Sequence, residues 1–335
     1  MRRMVMAAIV LAALAVSARA QGAVQASPTD DWGKLVAANN LDVKGNTPFH
    51  LGMSFQLYDL KGKPTETGTF ETWWPGVGGR RTLVKLAGLN EDGSAPDGAD
   101  DATVRYAHLV NQFIEAAIHP VPTMESSVGT VTKPLTSGKF QLECTGPKPS
   151  PAEAMNAVLE TACMAPNSTD VLTMQGLSGN LTMLRPKTGK FRDTFVAMEL
   201  RIYYLRMDAI AGKMTGLQVY DPANAKVEAP STTVSEAPVV RISGGVISGH
   251  RIKFVVPVYP MEAKISHLSG TVLMDAVIGK DGVIRRLVPI ASTDSMFTES
   301  ATQAVRQWRY SPYLLNGEPT EVDTTITVNY ALDGN

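Results

Sequence analysis

Alternation of apolar and polar residues is most regular in the last part of the chain and predicts strands there. The run Gly270–Ile278 has period two, with one face formed by Val272, Met274, Ala276 and Ile278. Gly279-Lys-Asp-Gly282 follows directly, and an Asp-Gly pair between alternating runs is a strong hairpin signal. The return strand is predicted at Val283–Ile290, where Pro289 indicates an edge position or a bulge.

A helix and a last strand complete this predicted unit. The helix is capped by Asp294 or Ser295, and one face carries Phe297, Ala301, Ala304 and Trp308. The last strand is predicted over Glu321–Leu332, with Val322, Thr324, Ile326, Val328, Tyr330 and Leu332 on one side. A β-α-β unit this small needs the helix to cover one face of its antiparallel sheet.

Upstream, the pattern predicts a second and larger unit. Strands are expected at Phe49–Leu57, Gly68–Trp74 and Arg81–Ala87, and a helix at Asp101–Ile118 with Tyr106, Val110, Phe113 and Ala117 facing inward. Ser150-Pro-Ala-Glu153 is a capping box that predicts a helix as far as about Cys163. A meander of strands at Val171–Gln175, Leu181–Arg185, Thr194–Leu205 and Met214–Tyr220 follows, separated by Gly- or Pro-bearing turns. The predicted class is α+β, with a larger antiparallel sheet that curves into a half-barrel.

Several motifs in the C-terminal segment occur in a characteristic order. They are Val258-Tyr259-Pro260, Ser269-Gly-Thr-Val272, Ile278-Gly-Lys-Asp-Gly282, Ala304-Val-Arg-Gln-Trp308-Arg-Tyr310-Ser-Pro312, Leu315-Asn-Gly-Glu-Pro319 and Thr325-Ile-Thr-Val-Asn-Tyr330. In this order the segment resembles the C-terminal domain of TonB, the bacterial energy transducer. The motif residues carried over from the family are Tyr259, Pro260, Gly282, Trp308, Tyr310 and Pro312.

The resemblance implies a binding activity. TonB-type domains hold a short extended peptide of outer-membrane receptors, the TonB box, by adding it as a strand beside their last strand. An open sheet edge offers unpaired N–H and C=O groups for such an addition. The implied binding strand consists of Val322, Asp323, Thr324, Thr325, Ile326, Thr327, Val328, Asn329 and Tyr330. Alternatively, this strand belongs to a satisfied sheet or pairs with a second copy in a homodimer.

Length and composition set outer limits on these interpretations. With 335 residues, 44% of them hydrophobic, the chain is long enough for two domains, each with its own core. The expected division is a signal peptide at 1–20, an N-terminal domain at 28–220, a linker at 221–240 and the TonB-like domain at 241–335. The net charge is −1 and no basic patch with aromatic residues is present, so nucleic-acid binding is not expected.

The first residues have the pattern of an export signal. Arg2 and Arg3 precede an apolar run, Met4–Val16, and Ala18-Arg-Ala20 fits a cleavage site before Gln21. The apolar run is shorter than the roughly 20 residues that cross a membrane. We therefore expect a periplasmic protein. Inner-membrane anchoring by an uncleaved signal is the alternative.

The chain departs from the known transducer at the end that couples to energy. In that transducer an N-terminal helix carrying a His docks on an ExbB/ExbD-type inner-membrane motor, and a long Pro-rich rod follows. The apolar run of this chain has no His. Its Pro-bearing stretch, Asp221–Val240, reaches at most roughly 65 Å when fully extended. Coupling to the motor is thus left open by the sequence.

The first strands of the larger unit loosely resemble the lipoprotein carriers of the LolA type. That resemblance rests on a strand–turn–strand pattern ending in Phe70-Glu-Thr-Trp-Trp74. It implies a concave sheet that binds a lipid or a lipidated chain, lined by Trp73, Trp74, Tyr203 and Tyr204. The alternative is that these aromatic residues divide between core and surface and bind nothing.

Cys144 and Cys163 are the two cysteines of the chain. In an exported protein they favour a disulfide, which would close a loop of about 20 residues and stabilise the fold by about 3 kcal/mol. Free buried thiols and a redox pair are the alternatives, and the spacing lacks the CxxC pattern of a redox pair.

No pattern in the sequence indicates catalysis, a metal or a cofactor. The five His residues never occur as HExxH, and neither a Gly-x-Ser-x-Gly elbow nor a phosphate-binding Gly loop is present. The acidic loop from Asn90 to Asp101 could hold Ca²⁺, but it lacks alternating Asp/Asn ligands and favours a solvated loop.

Three functions remain compatible with the sequence. The first is a TonB-like protein that binds receptor peptides by strand addition and relays energy or acts as a scaffold. The second is a lipid or lipoprotein carrier with a TonB-like docking domain. The third is a structural envelope protein that dimerises through its last strand.

Overall fold

The structure, a computed structural model, describes residues 31–122, 129–137, 140–147, 161–176, 180–221, 240–242, 247–315 and 317–332. The predicted signal peptide, the capping box at Ser150–Glu153 and most of the predicted linker at 221–240 lie outside these residues.

The larger unit is built on a ten-stranded antiparallel sheet. Its strands are β1 Phe49–Tyr58, β2 Pro64–Trp74, β3 Arg81–Lys85, β4 Thr130–Ser137, β5 Phe140–Pro147, β6 Thr161–Met164, β7 Val171–Gly176, β8 Leu181–Phe191, β9 Thr194–Tyr204 and β10 Met207–Val219. In the sheet they follow the order β3-β2-β1-β10-β9-β8-β7-β6-β5-β4, so the end strands are β3 and β4 and the sheet is open.

Two helices, α1 (Asp31–Asn39) and α2 (Asp101–Ile118), pack on one face of this sheet. The alternation of β1 turns five apolar side chains toward the helices, where they are almost fully buried: Phe49, Leu51, Met53, Phe55 and Leu57. The bounds predicted for α2 are confirmed, and the side chain of Asp100 caps it by accepting a hydrogen bond from the Thr103 N–H. The α+β class is confirmed as well.

Two strands of the meander differ from the prediction. Strand β8 continues through Pro186 to Phe191, because a register shift between Leu184 and Lys187 accommodates the proline. The turn between β9 and β10 is Leu205-Arg206, and no Gly or Pro marks it. Both residues have positive φ, 50° and 68°, as a two-residue hairpin turn requires.

The segment around Cys163 also differs from the prediction. The helix expected from Ser150 falls largely outside the described residues, but its predicted end does not. Thr161–Met164 is strand β6, so a helix reaching Cys163 is wrong. Cys163 lies directly opposite Cys144 of β5, and a disulfide joins the two residues. The β6 backbone pairs on both sides, with β5 and β7, and this pairing competes successfully with a local helix.

The smaller unit contains a four-stranded sheet in the order β11-β18-β13-β14. Its strands are β11 (Val240–Ile242), β13 (Gly270–Ile278), β14 (Ile284–Ser292) and β18 (Val322–Tyr330). Strand β14 is an edge strand, and the register shifts opposite Pro289, so the sequence interpretation of this proline is confirmed. Two short pairs accompany the sheet: β12 (Arg251–Lys253) with β15 (Arg309–Tyr310), and β16 (Leu314–Leu315) with β17 (Glu318–Pro319).

Helices α3 (Met261–Ile265) and α4 (Ser295–Val305) belong to the smaller unit. Asp294 caps α4 by accepting a hydrogen bond from the Met296 N–H. Phe297 and Ala301 of α4 share a core with the predicted inward faces of β13 and β18. The helix ends at Val305, so Trp308 reaches the same core from the turn after the helix.

The opposite face of the small sheet packs against α2 of the larger unit. Leu273, Ile290 and Ala291 belong to the same hydrophobic core as α2, and Arg105 of α2 donates a hydrogen bond to the Ile290 carbonyl oxygen over 3.0 Å. Strand β13 is therefore buried on both faces. The alternating pattern of its sequence predicts only one buried face.

A buried charged cluster lies at this contact. Asp275 of β13 is fully buried, with its Oδ1 3.1 Å from Nδ1 of His108 in α2 and its Oδ2 2.9 Å from Nη2 of Arg286 in β14. A buried carboxylate is tolerated when opposite charges and hydrogen-bond donors surround it. The small sheet and α2 are thus joined by apolar packing and by the His108–Asp275 contact, while the Arg286–Asp275 ion pair lies within the small sheet.

Candidate functional site

Strand β18 presents two chemically different faces. Its side chains alternate between buried and more exposed, as the sequence predicts. Val322, Ile326, Val328 and Tyr330 face α4, while Asp323, Thr325, Thr327 and Asn329 are on the opposite face. On one side of β18 its whole length is paired antiparallel with β13, from Gly270↔Tyr330 to Ile278↔Val322.

The other side of β18 is paired only at its beginning. Strand β11 runs parallel to Val322–Thr324, with Val240 opposite Val322 and Ile242 opposite Thr324. An edge open along all of Val322–Tyr330 is therefore wrong for its first three positions. The sequence does not predict this pairing, because Val240 lies at the end of the predicted linker and a parallel partner leaves no local signal in the sequence.

The rest of this side, Thr325–Tyr330, is the candidate site, which we call the open edge. Within the part of the chain that the structure describes, no strand pairs with it on the side away from β13. Thr327 and Asn329 are exposed. Along six residues, about 20 Å, alternate N–H and C=O groups point away from the sheet and can pair with an extended chain.

Aromatic residues fix the Tyr330 end of the open edge. The rings of Phe297 and Tyr330 are 4.6 Å apart, and Tyr259 packs edge-on against both rings. The Tyr330 hydroxyl donates a hydrogen bond to the Phe297 carbonyl oxygen. Burial raises the pKa of this hydroxyl, and the hydrogen bond with Ser300 lowers the pKa by a smaller amount. This end of β18 is thus held by an aromatic cluster.

The predicted motif residues lie around the core of the smaller unit. The Tyr259 hydroxyl donates to the Leu268 carbonyl oxygen, and Pro260 precedes the first turn of α3. Trp308 donates its indole N–H to the Val255 carbonyl oxygen over 2.8 Å.

Gly282 and Tyr310 meet at the hairpin end of the sheet. The Tyr310 N–H donates to the Gly282 carbonyl oxygen over 3.0 Å, and Gly282 has a φ of +74°. Pro312 is exposed and stands apart from the other motif residues. The motif therefore describes the packing that supports β18, and Tyr259 is its member that contacts the candidate strand, through Tyr330.

An apolar strip beside α4 was not singled out in the sequence. Ile252, Phe254, Val256 and Val258 alternate along an extended segment, and Val256 and Val258 are 70% and 77% exposed. The segment is fixed by hydrogen bonds to the Val255 and Val258 carbonyl oxygens from Trp308 and Ser300. The alternation in Ile252–Val258 is visible in the sequence, but the sequence pattern does not distinguish an exposed apolar run from a buried one.

The aromatic residues proposed to line a lipid site in the larger unit do not share a face. Trp74 and Tyr204 belong to the core with α2. Trp73 is stacked on His50, with 4.5 Å between the ring centroids. Tyr203 is hydrogen-bonded to Arg201 and is partly exposed, whereas the next residue of β9, Tyr204, is buried. A concave wall made of all four residues is therefore wrong, because consecutive residues of a strand point to opposite faces.

Neither a metal cluster nor a membrane helix is found in the described part of the chain. Among its residues, no group of three or more His, Cys, Asp or Glu side chains is arranged to hold a metal ion. No described helix combines the length and apolar character that crossing a membrane requires.

Comparison with known proteins finds a family match for the smaller unit. Residues 255–332 match the family model of the Gram-negative bacterial TonB protein C-terminal domain. Protein TonB of Vibrio cholerae is 29% identical over 82 residues, which is 24% of this chain and 33% of that protein. The chain therefore spans about a third of the length of this curated relative.

Solved structures similar to each unit are also known. The solution structure of the Pseudomonas aeruginosa TonB C-terminal domain is 26% identical, covers 25% of this chain and 87% of its own, and has a TM-score of 0.23. A LolA superfamily protein from Nitrosomonas europaea covers 59% of this chain and 95% of its own at 7% identity, with a TM-score of 0.35.

The family match coincides with the motifs and with the sheet that carries the open edge. It includes Tyr259, Gly282, Trp308 and Tyr310, together with the whole of β18. Residues 255–332 of this chain are therefore similar in sequence to the TonB C-terminal domain.

Proposed function

We propose that the chain binds extended peptides of outer-membrane receptors by strand addition at the open edge, Thr325–Tyr330. The observation that carries the proposal is the pairing of β18, which within the described part of the chain is complete toward β13 and covers three residues on its other side. A peptide added there would gain main-chain hydrogen bonds without disturbing the core, because the inward side chains of β18 are already packed against α4.

The polar face of β18 fits this role. Asp323, Thr325, Thr327 and Asn329 are polar or charged, and Thr271 donates a hydrogen bond to Asn329 Oδ1 over 3.0 Å. Polar side chains on an edge strand suppress association between identical edges. The edge is therefore suited to a specific peptide partner better than to a homodimer.

We place the protein in the periplasm, exported by the signal at 1–20, with 28–220 and 241–335 as two domains joined by 221–240. Coupling to an ExbB/ExbD-type motor would require that the N-terminal segment is retained in the inner membrane. Intact mass of the native protein from soluble and membrane fractions decides this point. A soluble chain starting at Gln21 would exclude direct coupling, and a membrane-bound chain starting at Met1 would support it.

The binding test uses two neighbouring proline variants, Ile326→Pro and Thr327→Pro. N–H groups alternate between the two sides of a strand, so one of these residues donates toward β13 and the other toward the open edge. Proline removes the N–H group at each position. The variant that loses the open-side N–H should fold and should bind labelled receptor N-terminal peptides at least about tenfold more weakly in fluorescence anisotropy.

Thr327→Ala is the matched control for Thr327→Pro, and Ile326→Ala for Ile326→Pro, because each removes the same side chain as its proline partner and keeps the N–H group. The control at the position whose N–H faces the open edge is the one compared. It should bind as the unmodified protein does. If the folded proline variant binds receptor peptides with unchanged affinity, strand addition at this edge is wrong. A chain that forms stable dimers sensitive to the same proline would instead support the structural envelope protein.

A further inference from the structure

Strand β11 lies on the same side of β18 as the open edge. It pairs in parallel with Val322–Thr324 and ends opposite Thr324. The open edge begins at the next residue, Thr325. Among the described residues, β11 thus covers three of the nine residues of β18, and no strand pairs on this side with the other six. This chain carries its own extended segment in the place where strand addition would begin.

The attachment of β11 to the sheet is short. It is three residues long, and it is the outermost strand in the order β11-β18-β13-β14. By contrast, β13 and β14 are nine residues each and are joined by a tight hairpin. A short parallel edge strand forms few hydrogen bonds and is the part of a sheet that opens most readily.

We propose that β11 is an intramolecular competitor for the edge of β18, and that a partner peptide longer than about six residues must displace it. The inference rests on the proposed function and concerns its regulation. A short partner would use only Thr325–Tyr330, whereas a partner pairing along all of β18 would replace Val240–Ile242. The effective affinity of the site is then set by the partner and by β11 together.

The first test weakens β11 by Arg241→Pro, which removes the central N–H of the strand, with Arg241→Ala as the matched control that keeps it. Two fluorescent probes are titrated: a synthetic peptide with the sequence of residues 236–245, and a nine-residue receptor peptide. Both should bind the proline variant about tenfold more tightly than the unmodified protein or Arg241→Ala. Tighter binding of both probes to Arg241→Pro than to the other two proteins supports the proposal.

The two probes separate failure of this inference from failure of the proposed function. If the receptor peptide binds all three proteins equally, competition by β11 is wrong and strand addition stands. If the 236–245 peptide binds the proline variant more tightly but no receptor peptide binds any of the proteins, the proposed function is wrong. The proposed regulation by β11 is then wrong as well. If neither probe distinguishes the variants, β11 does not compete for this edge.

A second measurement uses the unmodified chain, so it does not depend on the folding of a variant. Hydrogen exchange detected by mass spectrometry is followed in Val240–Ile242 while the nine-residue receptor peptide is added. Displacement predicts faster exchange in this segment together with slower exchange in Val322–Tyr330. Protection of both segments would mean that β11 stays in place, and would overturn the proposal.

Discussion

At the scale of single residues, Gly282 is the described glycine of the smaller unit with the least room for a side chain. It has a φ of +74°, and a Cβ atom built there would lie 1.7 Å from the carbonyl oxygen of Tyr310. Glycine is thus required here for two reasons. The backbone has a positive φ, and the backbone of β15, the short strand that follows α4, leaves no room for a Cβ atom. The sequence motif indicated a hairpin turn, but the contact with Tyr310 needed the tertiary structure.

Gly282→Ala should therefore destabilise the protein by about 3–5 kcal/mol, from left-handed strain and a steric clash together. Gly317→Ala is the matched control, because Gly317 has a φ of +86° and nothing within 4 Å of the added Cβ. It should cost only about 1 kcal/mol, from strain alone. Urea unfolding of both variants measures the difference, and equal losses would contradict the steric argument.

Tyr310 makes a separate prediction on pH. Burial raises the pKa of its hydroxyl to about 12, with a smaller opposite effect of Arg251. The unfolded chain ionises near pH 10. This contribution to stability is thus fully present below pH 10 and is lost as the pH rises toward 12.

Between pH 10 and 12 the unmodified protein should lose up to roughly 3 kcal/mol more free energy of unfolding than Tyr310→Phe, which cannot ionise there. Denaturant titrations at a series of pH values give the two curves. Parallel curves over this range would show that the Tyr310 hydroxyl ionises in the folded state as it does in water.

At the scale of elements, local signals predicted best the segments that carry a complete periodic pattern and a cap or turn of their own. The bounds of α2 and β13 agree with the prediction, since each has a complete periodic pattern and a clear cap or turn beside it. Helix α1 was not predicted, although Trp32, Leu35 and Val36 have helical spacing and are buried.

The turn Leu205-Arg206 was missed because neither residue is typical of positive φ, and the pairing of β9 with β10 imposes that conformation. The strand at Cys163 was missed for a similar reason. Pairing with β5 and β7 determines the conformation of Thr161–Met164, and both partners are formed by other parts of the chain.

The disulfide between β5 and β6 should stabilise this side of the larger sheet. Its residues are separated by 19 positions and lie directly opposite each other. Replacing both, Cys144→Ala with Cys163→Ala, should lower the free energy of unfolding by about 3 kcal/mol. Reduction of the unmodified protein should produce a similar loss, and the double variant should not respond to reductant. A loss below about 1 kcal/mol would mean that the bridge adds little constraint.

At the scale of the whole molecule, the two sheets are linked through α2. Asp275 is fully buried between His108 of the larger unit and Arg286 of the smaller one. His108 also has its Nε2 3.3 Å from the hydroxyl of Tyr204, so the cluster continues into the core of the larger sheet. Loss of the carboxylate would leave two cationic or donor groups at the contact without their acceptor.

Asp275→Asn should therefore destabilise the protein by about 3 kcal/mol. It should also separate the unfolding of the two units, which calorimetry would record as two transitions. Asp31→Asn is the control, because the Asp31–Lys34 ion pair is exposed and such pairs contribute little. One unchanged transition in Asp275→Asn would show that apolar contact alone holds the units together.

The sequence by itself determined the local patterns: the periodicity of β13, β18 and α2, the Asp-Gly hairpin, and the ordered motifs of a TonB C-terminal domain. These are fixed by neighbours along the chain, so their signal is present in the order of residues. Only the tertiary structure decided which side of β18 stays open, that β11 covers its first three residues, and that α2 packs on the back of the small sheet. The physical reason is that sheet edges and buried ion pairs join residues far apart in the chain, and their positions follow from packing that no local pattern records.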